Sequence, residues 1–390
     1  MAQRMTLLWE GLSLNITNEL LASVFAESSA FCGREEVLHA IMFHQLMGAG
    51  IAHTQIAREQ LLLGGRADIV LYGEGVGGDF VTTRKRPRVA IEIKGGAYGD
   101  RNALRDELDS CGYCDDMAKL EPEARRGVEC WFICVDMPEL GRAVSPLKAG
   151  LVAEQCHARG LAFAYYCQGE ERFLVSRPTG KPTCFPIAKT IPKRKLATDL
   201  RFAPRDRDFL SFAEGCLAVK GHEANITTRL YEYLRTVGYG ASQLSLETYF
   251  SFAVRPGERM QSRPDLVVFD ADFDGRFNLY RNGDRRQSND QNKLAHISTI
   301  FEVKGGASMF SKSDRAILET YSADIKKLRR WRDAAAHARN GTNVRTIFLG
   351  VDGRPSGLPA SAVDALVSES RSLGAGLIYI SRNRMEVSEC

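Results

Sequence analysis

Two short stretches, IEIKGGA at residues 91–97 and FEVKGGA at residues 301–307, decide how this chain is organised. Both place a Glu and a Lys two residues apart among apolar neighbours, and both end in Gly-Gly-Ala. Successive side chains of a β-strand point to opposite faces, so the Glu and the Lys share one face of the strand. The two stretches therefore predict equivalent strands that each carry a carboxylate and an amine side by side.

The chain repeats itself well beyond these two stretches. Residues 33–60 align without a gap on residues 221–248, and the triplet Arg66-Ala67-Asp68 aligns with Arg263-Pro264-Asp265. Further equivalent pairs are Gly33 and Gly221, Glu35 and Glu223, Gln55 and Gln243, Glu59 and Glu247, Tyr113 and Tyr321, Asp116 and Asp324, and Lys119 and Lys327. Matches in the same order along the chain predict two copies of one structural unit.

Apolar periodicity predicts the same alternation of helices and strands in both halves. The first half has predicted helices at 33–50, about 101–120 and 146–158, and strands near 55–63, 67–72, 89–94, 130–135 and 161–167. The second half has predicted helices at 221–237, 313–338 and 359–372, and strands near 243–254, 265–269, 298–304, 344–351 and 375–381. This order favours an α/β fold with a mixed central sheet in each half.

Proline and basic residues mark the boundary between the halves. Residues 179–207 hold four prolines and eight basic residues but only two acidic ones, which indicates a linker. We therefore predict a first domain at 1–178 and a second domain at 208–390. An insert at about 271–296, rich in Asn, Asp, Arg and Gly, is expected to form a surface loop.

The composition is that of an ordinary globular protein, with 44% apolar and 26% charged residues. A net charge of +4 fits a polyanionic partner. No apolar run approaches the ~18 residues of a membrane span. The ten cysteines lack the spacing of a disulfide framework. These features predict a soluble, cytoplasmic protein that does not act at a membrane.

The chemistry is expected where Asp68 meets Glu92. We expect the two carboxylates to lie beside each other across neighbouring strands. Such converging oxygens suit Mg²⁺ or Mn²⁺, which would activate a water molecule. Lys94 would orient or deprotonate that water and stabilise charge on a phosphate. The candidate catalytic residues are Asp68, Glu92 and Lys94 in the first half and Asp265, Glu302 and Lys304 in the second, with the four carboxylates as metal ligands.

Glu35 and Glu223 each lie three residues before the apolar stripe of a predicted helix and share a face with it. A carboxylate that points inward is costly unless it is paired or bound to a metal. A further metal ligand, direct or through water, is one explanation. A first-turn glutamate stabilised by the helix dipole is the other. The sequence leaves both open.

The spaced Asp and Glu-x-Lys resemble the motif of the PD-(D/E)XK nuclease superfamily, which includes many restriction endonucleases. The second half carries it literally, as Pro264-Asp265 and Glu302-Val303-Lys304, whereas Ala67 replaces the proline in the first half. The resemblance implies two tandem restriction-endonuclease-like αβββαβ domains, and assigns the six residues above as metal ligands and catalytic lysines. The glutamine-containing helix motif of some members is not found, so no subfamily is identified.

This resemblance implies a metal-dependent nuclease, with DNA favoured over RNA as the substrate. Many such enzymes act as homodimers with one site for each strand, and this chain is expected to form a comparable pair within itself. A role in restriction or phage defence follows from the resemblance alone. A second copy of the chain or an activating partner protein stays open.

Basic clusters accompany the two motifs and are candidates for phosphate contacts. The alternative for each cluster is solvated surface charge. The candidate nucleic-acid-binding residues are Arg84, Lys85, Arg86 and Arg88, then Lys193, Arg194 and Lys195 in the linker, and Lys326 and Lys327 on the helix after the second site. His39 and His44 lie five residues apart on one helix, a spacing that excludes a histidine metal pair.

A different class of function would use the same fold without hydrolysis. In that reading the chain recognises nucleic acid or a partner protein, and one or both sites are inactive. Two complete sets of Asp, Glu and Lys argue against it, because binding alone does not require them. Metal-dependent cleavage distinguishes the two readings.

Overall fold

The computed structural model describes residues 15–96, 104, 112–137, 144–187, 204, 206–255, 258–277, 293–338 and 344–388. In this part of the chain, the first half begins with two helices and continues with a seven-stranded sheet and two further helices. The elements are α1 (Asn18–Ser28), α2 (Glu35–Gly48), β1 (Ile56–Leu61), β2 (Arg66–Tyr72), β3 (Pro87–Gly95), α3 (Tyr113–Arg125), β4 (Glu129–Asp136), α4 (Pro146–Ala158), β5 (Ala162–Cys167), β6 (Arg172–Ser176) and β7 (Thr183–Pro186).

The second half repeats this order and adds a hairpin. Its elements are α5 (Arg207–Ala218), α6 (Glu223–Thr236), β8 (Leu244–Leu246), β9 (Phe250–Arg255), β10 (Glu258–Ser262), β11 (Leu266–Phe269), β12 (Ile297–Lys304), α7 (Asp314–Ala338), β13 (Arg345–Asp352), α8 (Ala360–Ser372), β14 (Gly376–Ser381) and β15 (Met385–Ser388). Strands β9 and β10 pair only with each other among the described residues.

The two main sheets have equivalent topology. The first runs β1-β2-β3-β4-β5-β6-β7, with β3, β4 and β5 parallel and the outer strands antiparallel. The second runs β8-β11-β12-β13-β14-β15, with β12, β13 and β14 parallel. Each half thus has the order helix, three sheet strands, helix, strand. The predicted α/β class with two αβββαβ units and mixed sheets is confirmed.

Burial explains why the central strands are almost wholly apolar. Strands β4 (ECWFICVD) and β13 (RTIFLGVD) are buried from their second residue onward. Parallel strands in the middle of a sheet are covered by crossover helices on both faces, so neither face takes polar residues freely. One apolar core runs continuously from α2 in the first half to α6 and β12 in the second.

A pseudo-twofold relation joins the halves. Helix α2 packs on its equivalent α6, α2 also contacts β8, and α6 in turn contacts β1. The loops repeat this reciprocity, because the amide of Cys32 donates to the carbonyl of Gly275 while the amide of Lys220, the equivalent of Cys32, donates to that of Gly78. Gly78 and Gly275 both have φ near +77°, at +78° and +76°. An interface in which each side presents the same surface is that of a symmetric dimer.

Several boundaries differ from the predictions. The predicted linker 179–207 was wrong at its start, because β7 adds Thr183–Pro186 to the first sheet and moves the boundary beyond residue 178. Proline is tolerated there because β7 is an edge strand. Of the helix predicted at 101–120, residues 101–103 and 105–111 lie outside the described residues, and α3 extends from Tyr113 through Pro122 to Arg125, beyond the predicted end. Helices α1 and α5 and strands β6 and β15 were not predicted.

Some predictions fall outside the described residues. These are most of the linker, including Lys193, Arg194 and Lys195, and residues 278–292 of the insert. No helix in the described part of the chain is both long enough and apolar enough to cross a membrane.

Candidate active sites

Sheet register brings the predicted Asp and Glu together in both halves. Strands β2 and β3 pair Ile69 with Ile91, which sets the preceding Asp68 opposite the following Glu92. In the second half Leu266 pairs with Phe301, which sets Asp265 opposite Glu302. Each aspartate is further fixed by the strand beside it, because its Oδ2 accepts a hydrogen bond from the amide after the glutamate. These bonds are Ile93 N to Asp68 (2.7 Å) and Val303 N to Asp265 (2.6 Å).

The side chains of Glu35 and Glu223 point towards these sites. Each is the first residue of its helix, and its Oε2 accepts from the amide of the glycine that follows the Glu-x-Lys motif. The distances are 3.0 Å from Gly95 and 3.4 Å from Gly305. Both side chains thus cross to the strand that carries the Glu-x-Lys motif, as expected of a further site carboxylate rather than of a residue that serves only its own helix.

The second glycine of each Gly-Gly-Ala makes this approach possible. Gly96 and Gly306 have φ of +83° and +78°, a region that favours glycine. A Cβ on Gly96 would lie 2.6 Å from the amide nitrogen of Glu35, and one on Gly306 would lie 2.9 Å from that of Glu223. The repeated glycine therefore lets the helix start against the strand end.

Helices α3 and α7 supply two residues that the sequence analysis aligned but did not assign to the site. Lys119 Nζ lies 3.0 Å from Glu92 Oε1 and 2.5 Å from Asp116 Oδ1. In the second half Lys327 Nζ lies 2.5 Å from Glu302 Oε1. The signal was present in the repeat, since Asp and Lys recur three residues apart after the equivalent tyrosines. That spacing sets both side chains on one face of a helix.

The motif lysines are surrounded by carboxylates. Lys94 Nζ lies 2.6 Å from Asp116 Oδ2, and Lys304 Nζ lies 3.0 Å from Glu223 Oε1 and 3.9 Å from Asp324 Oδ2. Burial lowers the pKa of each ammonium, but the carboxylates outweigh it and raise the pKa of Lys94 and Lys304 above the ordinary value. Both lysines are therefore cationic at neutral pH and suited to orient water and bind phosphate oxygen.

Glu92 and Glu302, the glutamates of the motif, have too little positive charge around them to balance their burial. Burial, and then the charge of the neighbouring aspartate, raises the pKa of Glu302 to about 8 and that of Glu92 well above its ordinary value. The Oε2 atoms of Glu92 and Glu302 are buried and have no hydrogen-bond partner among the described residues. A buried, unsatisfied carboxylate oxygen beside an aspartate and a third carboxylate fits a hard divalent cation such as Mg²⁺ or Mn²⁺.

His39 also lies in the first site, although it was not predicted from the sequence as a site residue. A ring nitrogen of His39 and carboxylate oxygens of Glu35 and Asp68 lie within 4.8 Å of one another. His44 is not part of this group, so the exclusion of a His39–His44 pair is unaffected. The equivalent position in the second half is Thr227, and the repeat therefore gave no signal for this residue.

The predicted basic contacts lie in different places. Arg84, Lys85, Arg86 and Arg88 are exposed at the start of β3, whereas Glu92 and Lys94 are near its end, so the loop is about 13 Å or more from the site along the strand. Lys326 is exposed beside Glu369. Lys327 is part of the second site instead of the surface around it. Their role in nucleic-acid binding stays a prediction.

Comparison with known proteins adds no family to this geometry. No family model matches the chain, and neither a curated protein nor a solved structure matches it. The interpretation of the site therefore rests on its own residues.

Proposed function

We propose that this chain is a metal-dependent nuclease that hydrolyses phosphodiester bonds, with one site in each half and DNA as the favoured substrate. The observation that carries the proposal is the duplicated constellation of four carboxylates and two lysines with a buried, unsatisfied glutamate oxygen in each copy. A single set of this kind arises easily on a protein surface. Two sets built by equivalent elements indicate a shared chemical purpose.

In this proposal the carboxylates are the ligands of the metal cations. Asp68 and Glu92 are the proposed ligands in the first site, with Glu35 beside them, and the equivalent residues serve the second site. A cation bound there supplies a water of lowered pKa and neutralises charge on the phosphate. The fixed hydrogen bond from Ile93 N leaves the second oxygen of Asp68 for that purpose.

The lysines act on water and phosphate. Lys94 and Lys304 orient the attacking water and stabilise the negative charge that develops on phosphate oxygens. Lys119 and Lys327 neutralise the glutamates in the metal-free protein. A bound cation would neutralise the glutamate in place of the lysine. The ammonium group would then be free to bind a phosphate.

A duplex substrate fits the relation between the halves. The pseudo-twofold axis relates two equivalent sites, as local twofold axes relate the antiparallel strands of DNA. We therefore infer cutting of both strands by one chain. A cytoplasmic role in restriction or phage defence, with or without an activating partner protein, is the biological setting that we propose for such an enzyme.

A cleavage assay tests the proposal. Plasmid, linear duplex, single-stranded DNA and RNA are incubated with Mg²⁺, Mn²⁺ or EDTA. Wild type is compared with the Lys94→Ala/Lys304→Ala variant and with Lys181→Ala, whose lysine is exposed between β6 and β7 and belongs to neither site nor to the predicted phosphate contacts. Cleavage that needs a cation and is lost only in the double variant supports the proposal. Cation-independent binding without cleavage of any substrate supports the alternative, a binding protein on this fold.

A further inference from the structure

Arg58 links the first site to the second half of the molecule. It lies on β1 and is only 2% exposed. Its amide donates to Asn225 Oδ1 (3.0 Å), and its Nη1 donates to Thr228 Oγ1 (2.7 Å), both on α6. Both partners are buried, so these bonds are protected from water and hold the guanidinium in one place.

The same guanidinium determines the protonation of His39. Its Nη2 lies 2.8 Å from His39 Nδ1, and its Nε donates to the carbonyl of Asp68 (3.0 Å). Arginine has no acceptor, so Nδ1 accepts and the proton of the neutral ring is on Nε2. That nitrogen lies 3.4 Å from Asp68 Oδ2. His39 therefore points an N–H group between the carboxylates of Asp68 and Glu35, whose Oε1 is 4.0 Å away, without a formed hydrogen bond to either.

This tautomer excludes Nε2 as a metal ligand, although Glu35, His39 and Asp68 lie close enough to hold an ion. A neutral imidazole coordinates through a nitrogen without a proton. The nitrogen without a proton is Nδ1, which is engaged by Arg58. His39 is thus placed to position Asp68 and not to replace it.

The residues that form this link are not repeated at the equivalent, described positions of the second half. At the equivalent positions Leu246 replaces Arg58 and Thr227 replaces His39, and across the pseudo-twofold Val37 and Ala40 replace Asn225 and Thr228. Sheet register supports the first equivalence, since Arg58 pairs with Ile69 and Leu246 with Leu266, each the residue after the site aspartate. Among the described residues, the hydrogen bonds that Arg58 makes to α6 therefore have no counterpart at the equivalent positions of the second half.

We propose that Arg58 and His39 are positioning residues that make the first site depend on helix α6, whereas the second site, with Leu246 and Thr227 at the equivalent positions, has no such pair. This rests on the proposed function. It predicts two unequal sites in a molecule whose fold is nearly symmetric.

The test uses chains with one working site. Arg58→Leu, which copies the residue of the second half, is introduced into Asp265→Ala/Glu302→Ala and into Asp68→Ala/Glu92→Ala. We expect kcat to fall about 10- to 100-fold in the first background, as for other residues that orient a ligand, and to fall by a clearly smaller factor in the second, where Arg58 lines the cavity beside Glu223 and Asp265. An equal loss in both backgrounds, or none in either, would overturn the proposal.

His39 variants separate positioning from coordination. Glutamine offers one acceptor and one donor, so His39→Gln is expected to retain most activity in the first-site background, while His39→Leu loses it. The ratio of rates with Mn²⁺ and Mg²⁺ stays unchanged in His39→Gln. A shift of that ratio towards Mg²⁺, with loss of activity in both variants, would identify His39 as a ligand and contradict the proposal.

Calorimetric titration with Mn²⁺ gives a readout that does not need cleavage. In the Asp265→Ala/Glu302→Ala chain, which keeps only the first site, Arg58→Leu is expected to weaken Mn²⁺ binding about 10-fold or more. His39→Gln is expected to preserve that binding. If wild type binds Mn²⁺ but cuts no substrate, the proposed function fails while the positioning role is still decided by these affinities. Unchanged Mn²⁺ affinity in Arg58→Leu would overturn the role.

Discussion

At the scale of single residues, each site combines too many carboxylates with too few cations. Glu92 and Glu302 each have one oxygen paired with a lysine and one buried oxygen without a hydrogen-bond partner among the described residues. Charged groups are rarely buried without compensation. The metal-free arrangement is therefore expected to be less stable than the metal-bound one.

Glu302→Gln is expected to remove cation binding from the second site alone. A cation at 100 times its Kd stabilises the folded protein by about 2.7 kcal/mol. Thermal unfolding of wild type should therefore shift upwards with Mn²⁺, and the shift should be smaller in Glu302→Gln and absent in Glu92→Gln/Glu302→Gln. Glu369→Gln is the control, because Glu369 pairs with Lys326 away from both sites. An undiminished shift in the double variant would rule out these glutamates as ligands.

Neighbouring lysines on α7 provide a second, matched test. Lys327→Met removes the counter-ion of buried Glu302, so we expect the free energy of unfolding in EDTA to fall by about 1–3 kcal/mol. Lys326→Met, at an exposed neighbour, should change it by less than about 0.5 kcal/mol. Urea denaturation measures both, and added Mn²⁺ should shrink the Lys327→Met deficit. Equal deficits for the two variants would show that Lys327 is only a surface lysine.

The residues of the site were predictable where the repeat reveals them. Asp68, Glu92, Lys94 and their copies could be identified because strand periodicity and duplication point to the same positions. His39 and Arg58 could not be identified in that way. Their role depends on a contact between the halves, and their copies are Thr227 and Leu246.

At the scale of elements, the junction of helix and strand builds the site. The start of α2 lies against the end of β3, and the start of α6 against the end of β12, with Gly96 and Gly306 at the points of contact. This junction carries Glu35 or Glu223 to the strand that holds the Glu-x-Lys motif. Its geometry depends on a backbone that only glycine adopts without strain.

Gly306→Ala is expected to push the start of α6 away from the end of β12 in the second half. The backbone at φ +78° costs an alanine about 1–2 kcal/mol, and its Cβ would also meet the carbonyl of Gly221 at 2.7 Å. We expect lower stability and loss of second-site cleavage in a chain whose first site is disabled. Gly150→Ala is the control, since Gly150 lies in α4 with open space around it and alanine should stabilise that helix by about 0.5–1 kcal/mol. Full activity of Gly306→Ala would contradict the role of the junction.

Element boundaries were predictable where periodicity is strong and tertiary contacts are few. Helix α4 follows its apolar stripe and begins at Pro146, directly after the Ser145 cap, at the predicted residue. Helix α3 does not, because it continues past the predicted end at residue 120 and contains Pro122, a residue that predicts a helix end. Strand β7 was missed because prolines that indicate a linker are also acceptable on an edge strand.

At the scale of the whole molecule, the two halves of the chain pack against each other as the two subunits of a symmetric dimer do. Reciprocal contacts of α2 with β8 and of α6 with β1, together with one continuous core, unite the halves. The sequence predicts this pairing through the repeat, but not the direction of the Arg58 contact, which breaks the symmetry. The two sites are thereby expected to share a substrate while differing in how they are held together.

Cleavage of supercoiled plasmid by single-site variants tests the central claim, that one chain carries two nuclease sites, most directly. Wild type with Mg²⁺ or Mn²⁺ is compared with Asp68→Ala, Asp265→Ala and the double variant, and nicked and linear products are resolved on a gel. The account predicts that wild type linearises the plasmid, that each single variant only nicks it, and that the double variant leaves it intact. Loss of nicking as well as linearisation in one single variant, or linearisation by the double variant, would contradict it.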